Sequence, residues 1–119
     1  MESEIKIKIE WSDAFQEDIS AIIHYLDYQY CNEIQKTKFY QKLEKVESRL
    51  TIFPLMGQVL QDPKYQREYR RVRIGKAYLV FYEVLLDEGK VILHRILAQE
   101  QNYDVLIRED GAVYDDEKQ

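Results

Sequence analysis

The sequence has few of the residues from which metal, redox and phosphate-loop sites are built. It contains one cysteine, Cys31, and two histidines, His24 and His94, which are far apart in the chain. A single cysteine forms no internal disulfide, which suits a reducing cytoplasm, and this set offers no zinc-ligand cluster. The four glycines form neither G-x-x-x-x-G-K-[ST] nor G-x-G-x-x-G. We therefore expect no metal, no cofactor and a cytoplasmic location.

Long apolar runs are also absent. No stretch reaches about 18 apolar residues, so we expect no membrane span. The opening "MESEIKIKIEW" alternates polar and apolar residues and has no signal-peptide core. The length of 119 residues fits one domain. We expect that domain at residues 1–108, followed by an acidic, mobile and solvated tail at 109–119.

Positive charge is scarce overall but concentrated in one stretch. The formal net charge is −5, and the sequence pI is about 5.1. The segment "KYQREYRRVRIGK" (Lys64–Lys76) nevertheless holds six basic residues against one acid, Glu68. The acidic balance argues against general adhesion to nucleic acid, although a local basic patch still binds a phosphate or an acidic partner.

Hydrophobic periodicity in the first half predicts a strand followed by two helices. The segment "IKIKIEW" (Ile5–Trp11) alternates strictly, as a half-buried strand does. Apolar residues then recur at steps of three and four from Phe15 to Tyr30, and again from Phe39 to Phe53. The short connection between them predicts an antiparallel helical hairpin. The predicted caps are Ser12 or Asp13 for the first helix and Asn32 for the second.

The second half predicts three strands joined by short turns. The segments Tyr69–Ile74, Ala77–Leu86 and Lys90–Leu97 are strand-like, whereas Gly57–Glu68 has the character of a loop. Because Ala77–Leu86 is apolar on both faces, we expect it to be the central strand. The order β-α-α-β-β-β predicts an α+β fold in which the helical hairpin packs on one face of a small, largely antiparallel four-stranded sheet. The opposite face is left for solvent or a partner.

Four segments carry a resemblance to a known family. They are "EWSDAFQEDISAIIHYL", "LTIFPLMGQ", "RRVRIGKAYLVFYEV" and "VILHRILAQEQNY", in that order. They resemble, respectively, the strand-to-helix opening, the close of the second helix, the central strand pair and the last strand of the RelE/ParE superfamily. The resemblance covers Ile5 to Leu106. It implies a growth-inhibiting, intracellular toxin of a bacterial type II toxin–antitoxin system, a class linked to plasmid stabilisation, which a small cognate antitoxin wraps and neutralises.

The superfamily implies two possible targets. RelE-like members cleave mRNA in the ribosomal A site without a metal, whereas ParE-like members poison DNA gyrase and perform no chemistry of their own. An arginine important to RelE-like cleavage follows the first tyrosine of the "YRlvYev" strand, and that position is Leu79 here. The exit segment "AQEQNYDVLIRED" also lacks the usual cluster of arginines. The ParE-like branch is therefore favoured; a ribosome-dependent mRNA endonuclease and an inactive toxin-fold binding module remain the alternatives.

Basic side chains are the predicted binding residues. For contact with the target or the antitoxin they are Arg67, Arg70, Arg71, Arg73 and Arg95, and Arg70 matches the arginine that recurs ahead of the family's strand pair. The structural alternative for Arg70 is a surface ion pair with Glu68, worth ~0–1 kcal/mol. If the protein is a nuclease, the catalytic candidates are Arg70, Arg73, Arg95, Glu100 and Tyr103. A histidine such as His94 on an apolar strand is more often structural than catalytic.

The expected partners follow from the same resemblance. They are a cognate antitoxin and, as target, DNA gyrase or the ribosome with its mRNA, without a membrane. Both a homodimer and a toxin–antitoxin hetero-oligomer are left open. Because the acidic pI weakens long-range attraction to nucleic acid, we expect the antitoxin to bind through buried apolar contact, with the basic segment Arg67–Arg73 meeting its acidic side chains.

Overall fold

The computed structural model describes residues 7–60 and 67–98. In chain order, its elements are β1 (Lys8–Trp11), α1 (Asp13–Tyr30), α2 (Glu33–Ile52), β2 (Gln58–Val59), β3 (Arg70–Ile74), β4 (Tyr78–Leu85), a 3₁₀ turn (Leu86–Glu88) and β5 (Lys90–Ala98). The predicted tail at 109–119, together with Glu100 and Tyr103, lies outside the described residues.

The strands form one sheet in the order β1-β5-β4-β3-β2. β1 runs parallel to β5, and the other three pairings are antiparallel. The predicted α+β class and the central position of the apolar strand, β4, are confirmed. The sheet has five strands rather than four because Gln58 and Val59, which were predicted to lie in a loop, pair with Arg71 and Arg70. Two residues are too few to show strand periodicity, so only tertiary pairing reveals β2.

Both helices begin at the predicted caps. The Ser12 hydroxyl accepts a hydrogen bond from the Phe15 amide at 3.0 Å, and the Asn32 side chain accepts one from the Ile34 amide at 2.9 Å. Such bonds satisfy amides that have no partner within the helix. Between the helices Cys31 adopts a left-handed conformation with φ 57°. This residue ends α1 and turns the chain into α2, which completes the hairpin.

The main core lies between the helical hairpin and one face of the sheet, which we call the helix face. Most periodic residues of both helices are buried there, including Phe15 and Leu50, which are both 0% exposed. The last member of each stripe is exposed: Tyr30 to 47% and Phe53 to 64%. The buried residues pack against alternate residues of β4 and β5, and the Ile9 and Trp11 side chains of β1 cover the edge. Burying this continuous apolar surface is the main driving force for the fold.

A bulge in β5 changes which residues face the helices. Phe81 pairs with Arg95 and Tyr82 pairs with Leu93, so His94 has no direct counterpart in β4. Because of this extra residue, Leu93 and Ile96 both enter the main core although they are three positions apart. His94 itself follows the ordinary alternation after Val91 and Leu93, so it points to the opposite face, where it meets a charged group.

The opposite face of the sheet is less open than the sequence suggests. Leu79, Phe81 and Leu97 lie outside the main core, yet none of them is more than 8% exposed. Arg73, in contrast, is exposed beside them on β3. The middle of this face is thus closed, and its β3 side reaches solvent. Neither helix of the described part of the chain has the length and apolar character of a membrane span.

Candidate functional site

A carboxylate and an imidazole meet on the opposite face of the sheet. Glu83 points away from the helices because its neighbours Tyr82 and Val84 face the main core. Its Oε1 atom lies 3.0 Å from His94 Nε2 and accepts a hydrogen bond from Arg67 Nη1, also at 3.0 Å. The Glu83 side chain is only 9% exposed. A buried carboxylate of this kind is held in place by its partners, because an unpaired charge there would be strongly destabilising.

Tyr69 completes this group, which we call the Glu83 cluster (Arg67, Tyr69, Glu83 and His94). The Tyr69 ring stands edge-on to the His94 ring, with centroids 5.2 Å apart. The Arg67 guanidinium carbon lies 5.9 Å from the centroid of the same Tyr69 ring, within the range of a cation–π contact. Side chains from the segment before β3, from β4 and from the β5 bulge therefore converge on one carboxylate.

The Glu83 cluster has the elements of proton-transfer chemistry. A carboxylate only accepts hydrogen bonds, so His94 Nε2 is the donor when it bonds ionised Glu83. An imidazole oriented by a carboxylate can act as a general base or acid, and the neighbouring guanidinium can stabilise negative charge. The cluster is also a structural network, in which each member has a stabilising contact.

The side chain of Arg70 is hydrogen-bonded to the loop between α2 and β2. Its Nη1 atom donates to the carbonyl oxygens of Leu55 and Gly57 at 3.2 and 3.0 Å, and its Nη2 atom bonds Glu68 at 2.9 Å. Its side chain is only 15% exposed. In the structure Arg70 therefore fastens this loop to the start of β3.

The other predicted arginines lie in separate environments. Arg71 bonds the Gln58 side chain through Nε and Nη2 at 3.3 and 3.2 Å. Arg95 forms a two-bond pair with Asp18 of α1, at 2.7 and 2.9 Å. Arg73 is exposed and has no ion-pair partner among the described residues. The structure does not bring Arg70, Arg73 and Arg95 together into one catalytic group.

Leu79 occupies the position at which the resemblance places a catalytic arginine. It lies on the opposite face, pairs with Arg73 and Leu97 in the neighbouring strands, and is 8% exposed. A buried leucine cannot supply positive charge to a phosphate. Within residues 7–60 and 67–98, no group of three or more His, Cys, Asp or Glu side chains is placed to hold a metal ion.

The Glu83 cluster was missed by the sequence reasoning, which treated the arginines one by one. Its signal was present: Glu83 is the sole charged residue in the strand-like segment Ala77–Leu86. A lone charge in a buried strand needs a partner. The partners themselves could not be found by spacing, because the register of β4 against β5, which shifts at the bulge, decides which side chains meet.

Comparison with known proteins places this fold in a defined class. The family model described as the ParE toxin of the type II toxin–antitoxin system parDE matches residues 9–103. The chain therefore belongs to the ParE toxin family, within the RelE/ParE superfamily. A search of curated proteins finds no match.

Solved structures share the fold at low sequence identity. The chromosomal ParDE toxin–antitoxin system from P. aeruginosa matches with a TM-score of 0.62 and 14% identity, covering 80% of this chain and 98% of that one. The archaeal RelE–RelB complex from Pyrococcus horikoshii OT3 matches with a TM-score of 0.55 and 12% identity, covering 81% and 98%. The E. coli DinJ–YafQ complex matches with a TM-score of 0.54 and 16% identity, covering 80% and 94%.

Proposed function

We propose that this protein is a ParE-like toxin that arrests bacterial growth by binding DNA gyrase in the cytoplasm, without chemistry of its own. Membership of the ParE toxin family supports this proposal. The observation that carries the choice of gyrase as target is the buried Leu79. By the resemblance, RelE-like nucleases have an arginine at this position. The predicted arginines are also dispersed or engaged in structural bonds, so no phosphate-binding group forms among them.

Expression of the chain alone in a bacterium tests the proposed target. Growth, plasmid topology and ribosome-associated mRNA ends are scored after induction. We expect growth arrest with relaxed or broken DNA and intact mRNA. In-frame cuts in mRNA would overturn the choice of gyrase, and normal growth at good soluble yield would support the inactive binding module instead.

A second function, ribosome-dependent mRNA cleavage, is favoured by one specific observation. The 3.0 Å contact between Glu83 and His94, beside Arg67, supplies a carboxylate–imidazole pair and a cation. General acid–base catalysis contributes ~10²–10⁴-fold to such reactions. If this function holds, Glu83→Gln should lower the rate of mRNA cleavage by about that factor while the protein stays folded.

The proposed regulator is a cognate antitoxin. The P. aeruginosa and P. horikoshii relatives are described as a toxin–antitoxin system and a toxin–antitoxin complex. Here the exposed Arg73, with the nearby Arg71, provides a basic surface for acidic side chains of such a partner. Native mass spectrometry of the chain with the product of the adjacent gene should show a complex. Failure of the two to associate at micromolar concentration would count against this regulator.

A further inference from the structure

Four exposed apolar side chains lie together in the turn that follows α2, which we call the apolar turn (Ile52–Met56). The Met56 amide donates to the Phe53 carbonyl at 3.1 Å, which closes a β-turn directly after the helix. The exposed side chains are Ile52 at 68%, Phe53 at 64%, Leu55 at 51% and Met56 at 38%. Single exposed apolar residues are ordinary, whereas a contiguous group marks an interaction surface.

The main chain of the apolar turn is held in place from the sheet. The Tyr82 hydroxyl donates to the Pro54 carbonyl at 2.9 Å and accepts from the Gly57 amide at 2.8 Å. Arg70 Nη1 donates to the carbonyl oxygens of Leu55 and Gly57. A β-carbon at Gly57 would lie 2.5 Å from the Tyr82 hydroxyl oxygen, so the chain there packs directly on that side chain. The turn is therefore fixed before any partner arrives, and a fixed surface loses little conformational entropy on binding.

The two ends of the apolar turn carry charges of opposite sign. Arg49 precedes Ile52 and Phe53 by three and four positions, so it lies beside the start of the turn. It is exposed and takes part in none of the ion pairs among the described residues. Glu68 lies at the other end, where it pairs with Arg70 at 2.9 Å and is 62% exposed. A carboxylate accepts several hydrogen bonds, so Glu68 can bind a second cation as well.

This arrangement is complementary to itself. We propose that the protein forms a symmetric homodimer in which the apolar turns of two copies pack against each other. In a two-fold interface the same patch of both copies meets, so a contact from one end of the patch to the other is made twice. Arg49 of each copy then lies opposite Glu68 of the second copy, and the four apolar side chains fill the centre.

The size of the apolar turn indicates how tightly the two copies bind. A large apolar side chain that is about half exposed leaves roughly 100 Å² in contact with water. The four side chains therefore offer about half of the ~800 Å² that each partner contributes to a standard interface. The dimer is consequently a weak one that dissociates on dilution.

Sedimentation equilibrium of the full chain, from micromolar to near-millimolar concentration, measures the dissociation constant. We expect Leu55→Asp to raise this constant at least ~tenfold, because an unpaired carboxylate would be buried at the centre of the interface. Leu86→Asp is the matched control, since Leu86 is 58% exposed but lies in the 3₁₀ turn. It should leave the dissociation constant unchanged. Circular dichroism checks that both variants are folded.

An exchange of charges tests the geometry of the two-fold interface. Arg49→Glu places two carboxylates opposite each other, and Glu68→Arg places two guanidinium groups opposite each other. Each variant alone should dimerise at least severalfold more weakly, because like charges meet. Mixed together, the two variants should form a heterodimer as readily as wild type, because both contacts then join opposite charges.

A measurement on the wild-type chain needs no substitution. In a mixture of isotope-labelled and unlabelled chains, NOEs between copies should arise from Ile52, Phe53, Leu55 and Met56. A chain that stays monomeric at every concentration would overturn the proposal and leave the apolar turn to a different protein. Equal effects of Leu55→Asp and Leu86→Asp, failure of the mixed charge variants to associate, or NOEs from another surface would overturn it too. None of these measurements involves gyrase, ribosomes or an antitoxin, so their outcome is independent of the proposed function.

Discussion

The two faces of the sheet are built from alternate residues of the same strands, yet their chemistry differs. On the helix face, Val80 and Leu93 are fully buried among apolar side chains of the hairpin. On the opposite face, Glu83 and His94 form a polar contact, and Leu79 is buried further along the same strand. The helix face therefore carries the main apolar core, whereas the opposite face carries the Glu83 cluster and the exposed Arg73.

Removing a large side chain from the helix-face core should give the largest effect. Leu50→Ala deletes a side chain that is 0% exposed, so we expect a loss of about 2–5 kcal/mol in the free energy of unfolding. Ile52→Ala, two residues further on the same helix but 68% exposed, should change it by less than ~0.5 kcal/mol. Urea denaturation followed by circular dichroism measures both. Equal losses would mean that the core does not lie where the structure places it.

A smaller effect is expected from one hydroxyl that links the helix face to the α2–β2 loop. The Tyr82 hydroxyl donates to the Pro54 carbonyl at 2.9 Å and accepts from the Gly57 amide at 2.8 Å. Tyr82→Phe leaves both groups without this partner, which should cost ~1–3 kcal/mol. Tyr40→Phe, at a 43% exposed position, is the control and should be nearly neutral. A neutral Tyr82→Phe variant would show that this loop contributes little to stability.

The opposite face should respond in binding rather than in stability. Arg73 is exposed, so Arg73→Glu should shift the free energy of unfolding by less than ~0.5 kcal/mol. It should weaken the proposed antitoxin complex about tenfold, or ~1.4 kcal/mol, because it places like charges together. Lys8→Glu, exposed on the far edge strand, is the matched charge reversal and should leave the affinity unchanged. Isothermal titration calorimetry compares the three proteins, and identical affinities would exclude Arg73 from the interface.

The smallest expected effect is a change in how stability depends on pH, and it comes from a half-buried carboxyl group beside the helix face. Burial raises the pKa of Glu47 above its ordinary 4.5, although the hydrogen bond from Trp11 Nε1 at 2.6 Å opposes the rise. Because the folded pKa exceeds the unfolded one, the stability that protonated Glu47 contributes is complete below pH 4.5 and is lost as the pH rises through the folded pKa. Glu47→Gln stays neutral and can accept the same bond. Its stability relative to wild type should therefore increase from acidic to neutral pH, as urea denaturation at both ends can show. A difference that does not vary with pH would contradict the raised pKa.

The helix face was predictable from the sequence because its signals are local. The stripes from Phe15 to Tyr30 and from Phe39 to Phe53 repeat with the helical period, and the caps Ser12 and Asn32 are short-range hydrogen bonds. The exposed end of the second stripe, Phe53, shows the limit: it lies just after α2 and is 64% exposed. The helical period of the apolar residues identifies which side of the helix they share, whereas the burial of each residue depends on what covers it in the folded protein.

The opposite face was harder to predict because its contacts depend on register. The register of β4 against β5 decides that His94 meets Glu83, and no local pattern specifies this register or its shift at the bulge. The structural bonds of Arg70 join residues 13 to 15 positions apart, through a loop whose path the sequence does not specify. The charge pattern of the sequence therefore predicts where the basic segment lies. It does not distinguish the exposed Arg73 from Arg70, which is bound to the α2–β2 loop.

The proposal that this protein inhibits DNA gyrase without chemistry of its own is tested directly with purified DNA gyrase and, in parallel, programmed ribosomes. Each is incubated with the wild-type chain and with Glu83→Gln. If the protein is a gyrase inhibitor without chemistry of its own, both proteins should inhibit gyrase supercoiling and neither should yield cut mRNA on the ribosomes. Unaffected gyrase, together with mRNA cleavage that is lost in Glu83→Gln, would contradict the proposed gyrase target and assign the Glu83 cluster to a ribonuclease.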